Sequence, residues 1–138
     1  MTNADVLAVF SRAAAHLNAG GLFIFDVWYT PAVYSQKPAV RVKRVAGRDF
    51  SYIRVAEPTL LANENRVDVQ YTVIAINSDG QAETFKEIHP MRHFSLLEID
   101  LLAREAGFER VAAEEFLSGA PPSESTWGIC LVLRRSSV

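Results

Sequence analysis

Between Leu17 and Tyr29 the chain reads LNAGGLFIFDVWY, and this block restricts its architecture more than any other. From Leu22 to Val27 the run is apolar except at Asp26, without the polar alternation of a half-exposed strand. That pattern marks a central strand covered on both faces, as in parallel α/β sheets. Upstream, Ala4 to Asn18 is amphipathic, with Val6, Phe10, Ala13, Ala14 and Leu17 at helical spacing. Asn3 and Asp5 supply an N-terminal cap and dipole partner, and Gly20-Gly21 a left-handed stop.

After this strand the period changes. Thr30 to Pro38, bounded by Pro31 and Pro38, reads as loop. Four strand-like runs follow: Val40 to Val45, Phe50 to Val55, Arg66 to Ile76 and Ala82 to Met91. The turn signals between them are Gly47-Arg48-Asp49, Asn63-Glu64-Asn65 and Asn77-Ser78-Asp79-Gly80, the last a good hairpin signal. Arg41, Lys43, Arg44 and Arg48 fall in an alternating run and read as a solvated face. Ser95 with Glu98 forms a capping box for a helix whose buried stripe is Leu96, Ile99, Leu101, Leu102 and Ala106, ended by Gly107. Phe108 to Phe116 and Thr126 to Leu133 read as two closing strands.

This order, with the blocks LNAGGLFIFDVWY and TFKEIHPMRHFSLLEIDLLAREAGF (Thr84 to Phe108), resembles the C-terminal half of a class I S-adenosylmethionine-dependent methyltransferase. The resemblance implies an α+β (partial α/β) fold. In it, a truncated Rossmann-like sheet keeps the last three strands of seven: Leu22–Val27, Glu109–Phe116 and Thr126–Leu133. Two helices accompany them. Residues 1-29 and 94-138 form the Rossmann-like layer, and residues 39-93 an antiparallel β insert of four strands. Such an insert is similar to the substrate roof of small-molecule and amino-sugar N-methyltransferases. The family's glycine-rich cofactor loop has no counterpart here. Gly20-Gly21 follows a helix and precedes a strand, the reverse of the strand-loop-helix context that such a loop requires. No cofactor-binding residue is therefore assigned, and S-adenosylmethionine is implied only for the full-length family.

Several residues are candidates for chemistry. Trp28 and Tyr29 end the first strand, where ligands bind in open α/β sheets, and serve either as an aromatic wall against substrate or as packing onto the insert. In Glu87-Ile88-His89-Pro90-Met91-Arg92-His93 the resemblance, through the family pattern E-x-H-x-x-R, implies residues near the substrate amine or hydroxyl. His89 is then the candidate base, with Glu87 and Arg92 as substrate-binding partners. The alternative is a structural network in which Glu87 pairs with Arg92 and His89 bonds to backbone. His89 and His93 are four apart on a strand-loop rather than a helix and suggest no metal site.

A net charge of -2 offers no electrostatic reason to expect nucleic acid or anionic lipid. The single cysteine, Cys130, lies in an apolar strand and cannot form an internal disulfide. No signal peptide or membrane-length apolar run is present, so a cytoplasmic protein is expected. Two functions are open. One is the substrate-binding portion of a small-molecule methyltransferase, not catalytic alone; the other is a freestanding small-ligand-binding or dimerisation module. In either case an unpaired hydrophobic strand predicts a homo-oligomer that covers the exposed sheet edge.

Overall fold

The computed structural model describes residues 1–48 and 50–137. Its elements in chain order are α1 (Asn3–His16), β1 (Leu22–Tyr29), α2 (Thr30–Gln36), β2 (Arg41–Ala46), β3 (Phe50–Leu61), a 3-10 turn (Ala62–Glu64), β4 (Arg66–Asn77), β5 (Ala82–Phe94), α3 (Leu96–Glu105), β6 (Phe108–Glu115) and β7 (Gly128–Arg135). The strands form a mixed seven-stranded sheet in the order β2-β3-β4-β5-β1-β7-β6. The chain divides into two compact units, one made of Met1–Lys37 with the chain from Arg92 onward, the other of Pro38–Met91. No helix among the described residues is long and apolar enough to cross a membrane.

In the first unit, β7 runs antiparallel to both β1 and β6, so β1 and β6 are parallel to each other. The register sets Phe23, Phe25 and Val27 beside Leu133, Leu131 and Ile129 on one face. Val6 and Phe10 of α1 and Ile99 and Ala103 of α3 close over that face to form the core. The Phe10 ring lies 5.9 Å from Phe23 and 5.5 Å from Phe25, so α1 is keyed to the strand it feeds. The helical spacing read for α1 is therefore the spacing that packs.

The opposite face of β1 differs from expectation. Leu22 and Ile24 are 48% and 61% exposed, so the strand is covered on one side rather than two. An apolar run shows that a strand can be buried on both faces; whether it is depends on what else the fold supplies. Cys130 lies beside Asp26 on this same face and is only partly buried.

Local signals are corrected in four places. Thr2, not Asn3, caps α1, in a reciprocal capping box with Asp5. The helix ends at His16, with an extended Leu17 as its cap, so Gly20 and Gly21 form the turn into β1 rather than the helix stop. A Cβ on Gly21 would lie 2.9 Å from the Asn18 carbonyl oxygen, which is why glycine is needed there. The segment read as loop contains α2: Pro31 sits in its first turn, where a missing N–H costs nothing, and Ala32 and Val33 are fully buried. In α3, Ser95 accepts the Glu98 amide as expected and Gly107 adopts the left-handed conformation, but Leu101 is exposed and Ala103 takes its place in the core.

The second unit is a meander. β2 pairs with β3 and β3 with β4, both antiparallel. Strand β3 runs six residues beyond the expected Val55, through Pro58 to Leu61. Pro58 is tolerated because β2 pairs β3 only from Ser51 to Ala56, so no ladder bond from the proline nitrogen is required on that side. The Asn77–Gln81 turn is held by the Asn77 side chain, whose Oδ1 accepts from the amides of Asp79 and Gln81, with Gly80 at φ +77. The basic residues Arg41, Lys43, Arg44 and Arg48 are exposed. Asp49, part of an expected turn, lies outside the described residues.

Candidate functional site

The carboxyl ends of β1 and β5 meet in parallel register, with Trp28 opposite His93 and Tyr29 opposite Phe94. Because side chains alternate along a strand, Trp28 and Tyr29 point to opposite faces. Tyr29 packs against the core with Phe25 and Val27. Trp28 meets Trp127 edge to face at 5.7 Å, and the Trp127 indole N–H donates to Gln36 Oε1 at 2.6 Å. Ser35 adds a hydroxyl bond to the Glu124 carbonyl at 2.7 Å, tying α2 to the loop before β7.

His93 is the most constrained polar side chain at this junction. Its ring is fully buried. A hydrogen bond of 2.8 Å joins its Nδ1 to Thr30 Oγ1, and the Tyr34 ring stands perpendicular to it at 5.5 Å. Nε2 is buried without a hydrogen-bond partner among the described residues. Burial pushes the imidazole below its ordinary pKa; the Glu98 carboxylate opposes that shift and Arg92 adds to it. The surroundings therefore favour the neutral ring over the charged one. Sequence reasoning named His93 only as an unconvincing metal ligand. The one local signal was its place just ahead of the Phe94-Ser95 entry to α3.

Arg92, expected beside a substrate, has an almost completely buried side chain, 8% exposed. Its guanidinium pairs with Glu98 at 2.5 Å, donates to Asn3 Oδ1 and to the Met1 carbonyl, and lies 4.9 Å from the Phe94 ring. These contacts tie the end of β5 to the first turns of α1 and α3. The expected structural pairing of Arg92 with Glu87 is thus replaced by pairing with Glu98, six residues along the chain.

Glu87 and His89 lie in the second unit, on the same face of β5. Glu87 Oε2 and His89 Nε2 are 3.0 Å apart, so the imidazole bonds to a side chain rather than to backbone. The Tyr71 ring meets His89 edge-on at 4.9 Å, and the Arg54 guanidinium lies 5.0 Å from the Tyr71 centroid. Both members of the Glu87–His89 pair are about half exposed. A carboxylate that accepts from Nε2–H leaves the Nδ1 lone pair free to take a proton, the arrangement a general base needs.

Elsewhere, a shallow hollow on α3 and β6 is lined by Asp100, Arg104, Phe108, Glu109 and Arg110. Its strongest charged group is already used: Arg110 makes bonds of 2.7 and 2.8 Å to the two Asp100 oxygens, and the Asp100 hydrogen bond holds Arg110 in its charged form against partial burial. No group of His, Cys, Asp and Glu suited to a metal ion occurs among the described residues.

No protein-family model matches the chain, and no curated protein sequence does. Its fold does match solved structures. A S-adenosylmethionine-dependent methyltransferase from Clostridium acetobutylicum superposes with a TM-score of 0.78 at 17% identity, over 98% of this chain and 52% of that one. An amino pentose methyltransferase from Micromonospora echinaspora, involved in calicheamicin biosynthesis, gives 0.73 at 19% identity, over 99% and 52%. A sugar N-methyltransferase from a Streptoalloteichus species gives 0.73 at 17%, over 98% and 50%. The fold is therefore that of S-adenosylmethionine-dependent methyltransferases, and the chain spans about half the length of the structures it matches.

The described residues place no glycine at a strand-to-α-helix turn. A phosphate- or nucleoside-type cradle at a strand-to-helix turn needs glycine, so that backbone can approach the ligand. Here β1 passes directly into α2 at Tyr29–Thr30, and β5 into α3 through Phe94-Ser95, both without glycine. The glycines at positive φ lie instead in the turn before β1, the β4–β5 hairpin, the end of α3 and the loop after β6.

Proposed function

We propose that this chain is the substrate-binding, C-terminal portion of a small-molecule methyltransferase and does not transfer methyl groups alone. One observation carries the reading: the methyltransferase fold is matched over 98% of this chain but only 52% of the neighbour, and the described half has no glycine at either strand-to-α-helix junction. Methyl transfer is accelerated chiefly by holding the acceptor in line with the donor, with a base required when the acceptor is protonated. In this reading His89, oriented by Glu87, is the base. Trp28, on the face away from the core, shapes the acceptor side of the β1 end; Tyr29 packs into the core and only supports that end, and Arg92 fixes the end of β5 through Glu98. The acceptor class suggested by the sugar and amino pentose enzymes is a sugar amine. A cytoplasmic setting belongs to the same proposal.

Calorimetric titration with S-adenosylmethionine and S-adenosylhomocysteine tests it. The expected result is no micromolar binding by the chain alone; micromolar binding of either would overturn the reading. The missing glycine cradle equally favours a second reading, a freestanding small-ligand-binding module. Titration with glucosamine, followed by the imidazole NMR signals, separates the two. A shift confined to His89 supports an amine-acceptor site, and no response favours the module.

A further inference from the structure

We propose that Arg54, with Lys43 and Arg41 beside it, forms an oxyanion-binding site, so that the acceptor carries a phosphate or sulfate ester as well as its amine. The position of the amine rests on the reading of His89 as the base. All these residues belong to the second unit, Pro38–Met91. Strand register sorts the basic residues of β2 by face. Lys43 is paired with Arg54 and Arg41 with Ala56, while Arg44 is paired with Ile53. Paired residues share a face and successive residues alternate, so Arg41, Lys43 and Arg54 lie on one face and Arg44 on the other. Ala56 is in turn paired with Tyr71, and the Arg54 guanidinium lies over the Tyr71 ring. Tyr71 meets His89, so the three cations share the face of the Glu87–His89 pair.

The charges on this face call for a counter-ion. On β2, β3 and β4 it includes Arg41, Lys43 and Arg54 but no Asp or Glu; Glu57 and Asp68 fall on the opposite face. Arg66, Arg92 and Arg110 each pair with a carboxylate. Arg41, Lys43 and Arg54 are exposed and pair with none among the described residues. Lys43 stands directly opposite Arg54, and like charges so placed are destabilising until an anion sits between them. Charges on an edge strand discourage pairing with other chains, which accounts for the basic residues of β2. It does not account for Arg54, which lies on the interior strand β3.

The geometry also matches an amine at the other end of the same ligand. Contact with the Tyr71 ring orients the guanidinium and leaves its N–H fork open to the oxygens of a phosphate or sulfate. On β5, Glu83 and Glu87 alternate onto the face of His89, so that side is acidic. A face basic on β2 and β3 and acidic on β5 complements a ligand with an oxyanion at one end and an amine at the other. Two strand spacings, roughly 10 Å, separate β3 from β5. The side chains of Arg54 and His89 both reach inward to Tyr71, which brings the gap within the span of one hexosamine bearing a 6-phosphate or 6-sulfate.

Calorimetric titration of the chain with glucosamine, glucosamine 6-phosphate and glucosamine 6-sulfate tests the site. At least one ester should bind about tenfold tighter than glucosamine or better, the worth of a hydrogen bond to a charged group, and the ester with the larger gain identifies the anion. Arg54→Gln, at an exposed position, should remove that gain with an unchanged circular dichroism spectrum. Arg44→Gln deletes the same charge from the other face of β2 and should leave the gain intact. Equal affinity for glucosamine and both esters, or equal losses in the two variants, would overturn the site. Glucose 6-phosphate, which lacks the amine, keeps the two readings apart. If it binds, loses that binding in Arg54→Gln, and glucosamine leaves the His89 NMR signal unmoved, the oxyanion site stands and the amine-acceptor reading fails. A glucosamine shift at His89 with no preference for either ester does the reverse.

Discussion

Thr30→Val isolates the hydrogen bond at the junction of β1, α2 and β5. Valine keeps the shape of threonine but cannot bond to His93 Nδ1, 2.8 Å from the native hydroxyl. Among the described residues Nε2 already lacks a partner, so the substitution leaves both nitrogens of a fully buried ring unsatisfied there. An orphaned buried polar group costs about 1–3 kcal/mol. With a urea m-value of roughly 2 kcal/mol/M for a chain of this size, a loss of about 2 kcal/mol lowers the unfolding midpoint by about 1 M. Replacing both partners should recover most of that loss, because two apolar side chains leave nothing unpaired. Thr30→Val should therefore cost much less in a His93→Leu background than in the parent, a coupling on the order of 1 kcal/mol or more in a double-mutant cycle. The assay is urea unfolding followed by tryptophan fluorescence, since Trp28 lies opposite His93. A Thr30→Val change within about 0.5 kcal/mol of the parent, or strict additivity in the cycle, would refute the assignment of this bond as a stabilising contact.

Acidification should act through the same ring. Burial lowers the folded pKa of His93, opposed by Glu98 and assisted by Arg92, while the Tyr34 ring packs against it edge to face. The folded state thus binds fewer protons than the unfolded one, and stability should fall as pH drops through the unfolded histidine value of about 6.5. Thermal melts between neutral and mildly acid pH should show this loss reduced in His93→Leu; identical pH profiles would remove the ring from the explanation. In the core, Leu131→Ala truncates a fully buried side chain and should cost about 2–5 kcal/mol by urea unfolding, with a smaller loss meaning that the cavity collapses.

The chain's own pattern was enough for those elements whose signal is local and repeated. The spacing of Val6, Phe10, Ala13 and Leu17 produced α1, Ser95 started α3, Gly107 ended it, and Asn77 through Gly80 closed a hairpin. Chain order and the Phe108 and Thr126 segments placed β6 and β7 within about two residues of their observed bounds. Alternation put Glu87 and His89 on one face of a strand, but not in contact: the pairing read from the sequence was Glu87 with Arg92.

Only the tertiary structure decided the rest. With Pro31 in its first turn and Pro38 just beyond it, the seven-residue α2 carries too little period to be recognised, and the helix is held by burial of Ala32 and Val33. Arg92 found Glu98 and the start of α1 because β5 ends between two helix termini, a juxtaposition separated by about ninety residues in sequence. His93 became buried through contacts with Thr30 and Tyr34, both about sixty residues away in sequence. Apolar spacing reports which side chains prefer to leave water. Which ones do so depends on distant segments that no local window contains.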